Sequence, residues 1–392
     1  MYILTGWSLA LLCSASLVAA TVPIADFEPS LLNVVAAAPE IIEKYPRLVL
    51  PVTIIEDERY FEQLINEVAR KKTKLSPPYF ESHPHGRSLG TDWCTSGKPM
   101  TGVHTLPRGS TCTFTSYLTI AVSTSLELSS TSGSGEMAII SGGLVTRHFY
   151  VPGNLKLIDL ILEKGKTGSA GGSLYVEARV HLVRSIIRLC ESTSFGGAVY
   201  ATGNAVIELE SSTLESNKGT HGGALIAVGG AQVVLTQGSK SHVKNNQATV
   251  AGGGGIYLQN EGTSLNITGD GTELLIYGNT ANSVGGGVVI TSASSVTVSS
   301  GATLNVRENN KAMTGSGGGF YLQDTSSRLD VTGDGTKVVV YENTAQLYGG
   351  GIYASHASTV AVSSGASLNL LNNDAVTKDG GGFYLTESTR LD

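Results

Sequence analysis

Charged side chains are scarce in this chain: Lys, Arg, Asp and Glu supply only 15% of its 392 residues. The formal charge is −6 and no long Lys or Arg block offsets it, which argues against nucleic acid as a partner. Aromatic residues amount to 6%, and there are four cysteines. No Cys/His spacing fits a zinc site, so neither a metal nor another cofactor is expected. Beyond the N-terminus no apolar run reaches the roughly 18 residues needed to span a bilayer as a helix. Sustained helical spacing is also missing from the long C-terminal region.

Glycine is abundant, at 49 residues, and its placement is periodic. A run reading mostly Gly-Gly-Gly or Gly-Gly-Ala returns with its third position at Ser173, Ala198, Ala224, Gly255, Gly287, Gly319, Gly351 and Gly382. The intervals are 25, 26, 31, 32, 32, 32 and 31 residues. A fixed period in this range marks a stacked-repeat architecture, in which each unit contacts mainly its neighbours.

The position after each marker is always apolar: Leu174, Val199, Leu225, Ile256, Val288, Phe320, Ile352 and Phe383. The next is usually Tyr, as at Tyr257, Tyr321, Tyr353 and Tyr384. Ahead of the later runs stands an Asn, at Asn217, Asn246, Asn279, Asn310, Asn343 and Asn373. Short alternating apolar stretches such as Leu265-Asn266-Ile267 lie between these landmarks, and alternation argues strand. Each unit therefore reads as one turn of a right-handed parallel β-helix, with rungs about 4.8 Å apart and like residues stacked on themselves. Glycines suit corners with positive φ, and a buried Asn column can satisfy corner amides. A longer period of 64 residues relates Thr268-Gly269-Asp270-Gly271-Thr272 to Thr332-Gly333-Asp334-Gly335-Thr336, so rungs alternate between two types.

Gly196-Gly197-Ala198-Val199 and Gly222-Gly223-Ala224-Leu225, alternating with aliphatic-x-x-Asn steps such as Leu214 to Asn217 and Ile276 to Asn279, resemble the repeats of polymorphic outer-membrane proteins. That family lies within the wider pectin-lyase-like β-helix superfamily. The resemblance covers roughly residues 110–392. It implies an all-β solenoid displayed outside the cell, and nothing in the chain corresponds to the membrane barrel carried by outer-membrane members.

The expected organisation is a signal peptide over residues 1–20, a helical and linker segment over 21–90, and the β-helix over 91–392 with a cap at 91–114. Leu9 to Val18 is largely apolar and Leu17-Val18-Ala19-Ala20 offers small residues for cleavage. Phe61, Leu64, Ile65, Val68 and Ala69 keep helical spacing, with acids before and bases after them. The final rung stops midway without a cap, and a truncated C-terminal end is expected. Cys94 and Cys112 fall in the cap, where a disulfide would suit an oxidising compartment. Asn266-Ile267-Thr268 is a glycosylation sequon.

Two functional readings follow. One is a secreted or cell-surface solenoid, structural or adhesin-like, whose outward Tyr257, Tyr321, Tyr353 and Tyr384 could contact a carbohydrate or a cell-surface protein. The other is a polysaccharide-active enzyme, as in the wider superfamily. For that chemistry the candidates are His148, Asp159, Arg179 and His181, with Arg147 and Arg184 nearby in sequence. Alternation places Arg179 and His181 on one strand face. None of them forms a paired-Asp motif, and the bland reading makes them solvated outward residues of ordinary strands. Asp270 and Asp334 each supply a single carboxylate, too few oxygens for calcium.

Overall fold

The computed structural model describes residues 93–94 and 98–392, apart from Gln237 and Asn309, together with the backbone of four short strands nearer the N-terminus. The chain divides into two units, Met1–Lys71 and Lys72–Asp392. In the first, Tyr2–Thr5, Ser8–Leu11 and Ala20–Pro23 pair antiparallel in succession, and Thr53–Ile54 runs parallel to Tyr2–Thr5. The expected signal peptide falls partly outside the described residues. The expected helix from Phe61 to Ala69 and the linker after it lie wholly outside them.

The second unit is a right-handed parallel β-solenoid of about nine turns, with no helix among its described residues. Its strands stack into four sheets. Sheet I holds ten strands, from Leu118–Thr119 to Phe383–Leu385, and sheet II eleven, from Gly102–Leu106 to Arg390–Leu391. Sheet III holds ten, from Thr111–Thr113 to Ser367–Leu371. Sheet IV holds eight strands of two residues, from Lys166–Thr167 to Asp374–Ala375. A single rung shows the circuit: Ile256–Gln259, Ser264–Thr268, Glu273–Tyr277 and Thr280–Ala281, before the chain returns to sheet I at Val288–Thr291.

Alternation drives this winding. In Ser264–Thr268, Leu265 and Ile267 are buried while Ser264, Asn266 and Thr268 face outward. Parallel register then puts like on like. Ile256, Val288, Phe320 and Ile352 are successive register partners and each is fully buried. Phe149, Leu174, Val199 and Leu225 extend the same file upstream. Each such side chain removed from water stabilises the fold by about 1.5–3 kcal/mol.

The glycine run has two separate physical causes. Its first residue takes the left-handed region, as Gly285 does at φ 59°. Its second lies against the backbone of sheet IV: a Cβ on Gly286 would sit 2.3 Å from the Lys311 amide nitrogen and 2.6 Å from the Gly318 carbonyl oxygen. Positive φ, expected for these glycines generally, therefore explains the first position only, and the second is a matter of close approach. The third position tolerates a methyl group, since Ala198 and Ala224 occupy it fully buried.

At the start of the solenoid, Gly102–Leu106 pairs with Ser125–Ser130 and Thr111–Thr113 with Ala138–Ser141, so these residues already belong to sheets II and III. Trp93 is fully buried against Phe114 and Phe149, and its indole nitrogen donates to the Pro99 carbonyl at 2.9 Å. Cys94 and Cys112 are joined beside it, with Cα atoms 5.7 Å apart.

Candidate functional site

The corner between sheets III and IV carries the most regular polar feature. Asn217, Asn246, Asn279, Asn310 and Asn343 are buried in register, and Asn373 continues them. From Asn217 to Asn343 each side-chain amide nitrogen donates to the next Asn Oδ1 and to a strand carbonyl of the preceding rung, such as Leu214 for Asn246. Gly165 and Cys190 precede Asn217 in the same register, because Lys166, Glu191 and Lys218 pair immediately after them. Asn217 Oδ1 accepts the Cys190 amide at 3.0 Å.

His148 completes this column from within. The ring fills the space beside Gly165, whose Cβ would come within 2.9 Å of it. The Glu163 carbonyl can only accept, so His148 Nε2 carries the proton donated to it at 3.1 Å, and Nδ1 accepts from the Ser173 hydroxyl at 2.9 Å. Burial pushes the His148 pKa down to about 4 and the Cys190 thiol up to about 12. Both groups are therefore neutral at neutral pH and sealed from solvent.

The other expected catalytic residues lie elsewhere and are engaged. Arg184 clamps Asp159 with two bonds of 2.8 and 2.9 Å, and this holds the Asp159 carboxyl below its usual range. Arg179 and His181 do share the outward face of Arg179–Val183, and both reach Glu208 on the next rung. His181 also meets Glu210 at 3.1 Å. His148 lies inside the solenoid, so these four residues do not converge on one acid/base centre. No group of three or more His, Cys, Asp or Glu able to hold a metal occurs among the described residues.

The tyrosine column is real in register but uneven in exposure. Tyr150, Tyr175, Tyr200, Ile226, Tyr257, Val289, Tyr321, Tyr353 and Tyr384 succeed one another on sheet I. Tyr257 corrects the expectation of an exposed stripe: it is 7% exposed and packs with Ile226, Val228 and Val289 in a small apolar cluster. The last three rings form a continuous stack, with centroids 5.0 and 5.7 Å apart and planes within 8° and 6°. The sequon residue Asn266 faces outward in mid-strand, its Nδ2 donating to Ser264 Oγ at 3.0 Å.

Charge columns are an outward feature that the spacing of the repeats alone does not reveal. Glu163, Arg188, Glu215 and Lys244 are successive register partners on sheet III, alternating in sign, and Tyr277, Arg307 and Tyr341 follow them. Arg188 and Glu163 approach to 2.7 Å, Lys244 and Glu215 to 3.0 Å. Arg307 donates to the Tyr341 hydroxyl at 2.7 Å. Lys166, Glu191 and Lys218 alternate likewise on sheet IV, and Glu127 meets Lys156 on sheet II. Aligning the rungs and comparing signs at equivalent positions would have found this, since unbroken stacking would set like charges about 4.8 Å apart.

Where these columns meet the Asn corner there is a shallow groove of about 360 Å³, lined by Leu144, Lys164, Leu189, Glu191, Asn217 and Lys218 among others. Compared with known protein families, curated proteins and solved structures, the chain has no match.

Proposed function

We propose that this chain is a secreted or cell-surface solenoid acting as a structural or adhesin-like binding protein, with a carbohydrate or cell-surface protein as its partner. The observation that carries this reading is axial regularity. Stretches of outward residues continue in register from rung to rung, as paired charges on sheets III and IV and stacked rings on sheet I, and Asp159, Arg179 and His181 are held in ion pairs with neighbouring rungs while His148 is enclosed. A surface that repeats along its axis suits extended contact with a long or repetitive partner. The Cys94–Cys112 bond supports an oxidising location. The glycine-run and Asn-step resemblance to polymorphic outer-membrane repeats supports display at a surface.

The enzymatic alternative would need a base that can be reached. His148 is enclosed by Phe114, Ser173 and Gly165, and His181 is held by two glutamates. The test is to label intact, unpermeabilised cells with an antibody to the chain, and to measure adhesion of beads coated with the purified protein. Surface labelling with saturable adhesion is expected. Labelling only after permeabilisation, or turnover of a uronate polymer by the purified chain, would overturn the reading.

A further inference from the structure

The outward column of sheet I reads the same from either end. Tyr150, Tyr175 and Tyr200 open it, Tyr321, Tyr353 and Tyr384 close it, and Ile226, Tyr257 and Val289 lie between them. The six end tyrosines are half-buried. The middle is apolar and filled, with Phe195, Tyr200, Val284 and Tyr321 packed against Ile226, Tyr257 and Val289. No charged residue interrupts the column over its nine rungs.

Two charges of opposite sign border it at opposite ends, both at the corner where the chain enters sheet I. Arg147, two residues before Phe149, lies over the Tyr175 ring at 5.4 Å and bonds to no carboxylate among the described residues. Asp379, four residues before Phe383, is exposed. Tyr348 holds the equivalent place one rung earlier, four residues before Ile352, and its ring lies 4.4 Å from that of Tyr384. A side chain at this place therefore reaches over the column.

We propose that this face of sheet I is the interface of a twofold dimer of the chain, with the two solenoids antiparallel and Tyr257 at the centre. A twofold interface must be complementary to itself. Rotation about an axis along the strands sets Tyr150, Tyr175 and Tyr200 against Tyr384, Tyr353 and Tyr321 of the second copy, and Ile226 against Val289. The same rotation keeps the corner between sheets IV and I on one side, and so brings Arg147 to Asp379. A parallel dimer would turn that corner onto the opposite one and set Asp379 against Glu387. Tyrosine and arginine are also the side chains that dominate interface energetics. Nine rungs about 4.8 Å apart and strands of about 13 Å give a strip of roughly 500 Å² before the bordering rings are added. Two copies would then bury on the order of 1,000 Å² or more, enough for a specific interface. The inference goes beyond the surface reading: a displayed chain can adhere as a monomer, and a dimer can form without adhering to anything.

The test is sedimentation equilibrium of the purified full chain over a range of concentrations. A dimer is expected, weakened roughly tenfold by Tyr353→Ser and by Asp379→Lys. Arg147→Glu should weaken it likewise, and combining Arg147→Glu with Asp379→Lys should restore it. Within one chain these two residues stand eight rungs apart, roughly 38 Å, so recovery reports contact between copies. Circular dichroism melts establish that each variant is folded. The proposal falls if the chain is a monomer at every concentration, or if folded Tyr353→Ser and Asp379→Lys variants dimerise as the parent does. It falls equally if the double variant is no tighter than either single one, or if a monomer binds oligogalacturonate through Tyr353 instead.

Discussion

Asn246 Nδ2 donates to Asn279 Oδ1 at 3.0 Å one rung away, and that same oxygen accepts the Asn246 backbone amide at 3.0 Å. One side-chain oxygen therefore satisfies two buried donors at a corner where the strand ladder is interrupted. Replacing Asn279 by Ala strands both donors and leaves the Val243 carbonyl short of the bond it receives from Asn279 Nδ2. We expect Asn279→Ala to cost about 2–4 kcal/mol, read as a lowered urea midpoint. An unchanged midpoint would mean that the column is not a structural element.

Gly286 and Gly287 should respond differently to the same methyl group. A Cβ on Gly286 meets backbone at 2.3 and 2.5 Å, both atoms belonging to Lys311, which the sheet IV ladder holds in place. At Gly287 the nearest side-chain contact is the Val306 methyl at 3.0 Å, although the Gly319 carbonyl is also close at 2.6 Å. Since Ala198 and Ala224 stand at positions equivalent to Gly287, Gly287→Ala should be tolerated far better. We expect Gly286→Ala to cost about 3 kcal/mol or more and Gly287→Ala about 1 kcal/mol. Thermal melts of the two variants would show the difference.

Glu215 stands between Arg188 and Lys244 in the sheet III column. Glu215→Lys would place three cations in a row and remove the 3.0 Å bond that keeps the Lys244 pKa raised. These side chains are partly exposed, so the loss should be modest, about 1 kcal/mol, and should shrink in 0.5 M salt. A destabilisation that salt leaves unchanged would point to packing in place of charge.

His148 gives the fold a dependence on pH. Its folded-state pKa of about 4 lies below the ordinary 6.5, because burial disfavours the charged ring. Between those values the unfolded chain takes up a proton that the folded chain does not. This contribution is constant above about pH 6.5 and is lost progressively as pH falls toward 4. From pH 7 to pH 5 the loss is expected to be about 2 kcal/mol. His148→Gln should reduce the slope of urea midpoint against pH in that window, the remainder coming from His221, whose pKa burial also lowers to about 4, and an unaltered slope would show that His148 does not contribute.

Much of the solenoid was legible because parallel stacking repeats one environment every rung. The apolar file through Ile256, Val288, Phe320 and Ile352, the Asn column and the alternating strands all follow from periodic patterns that any stacked rung must share. The candidate site was less legible. Arg147, His148, Asp159, Arg179, His181 and Arg184 look alike as polar residues in neighbouring stretches, yet one is enclosed, one lies between tyrosines and four are paired. His148 turned inward because Gly165 leaves a space in the column, which depends on two residues in different rungs. Tyr257 is covered because its neighbours in register are Ile226 and Val289, so it packs into an apolar cluster in place of joining a ring stack.

By itself the sequence determined the rung: its length, its inward residues, the glycine corner and the right to stack. Those are local matters, decided by alternation, backbone conformation and burial of aliphatic side chains. The tertiary structure decided which outward groups meet. Partners on neighbouring rungs lie 20 to 34 residues away along the chain, as Arg147 lies from Thr167 and Arg307 from Tyr341. Rung lengths vary, so only the register of the folded ladder sets whether a charge faces its opposite, a ring or water.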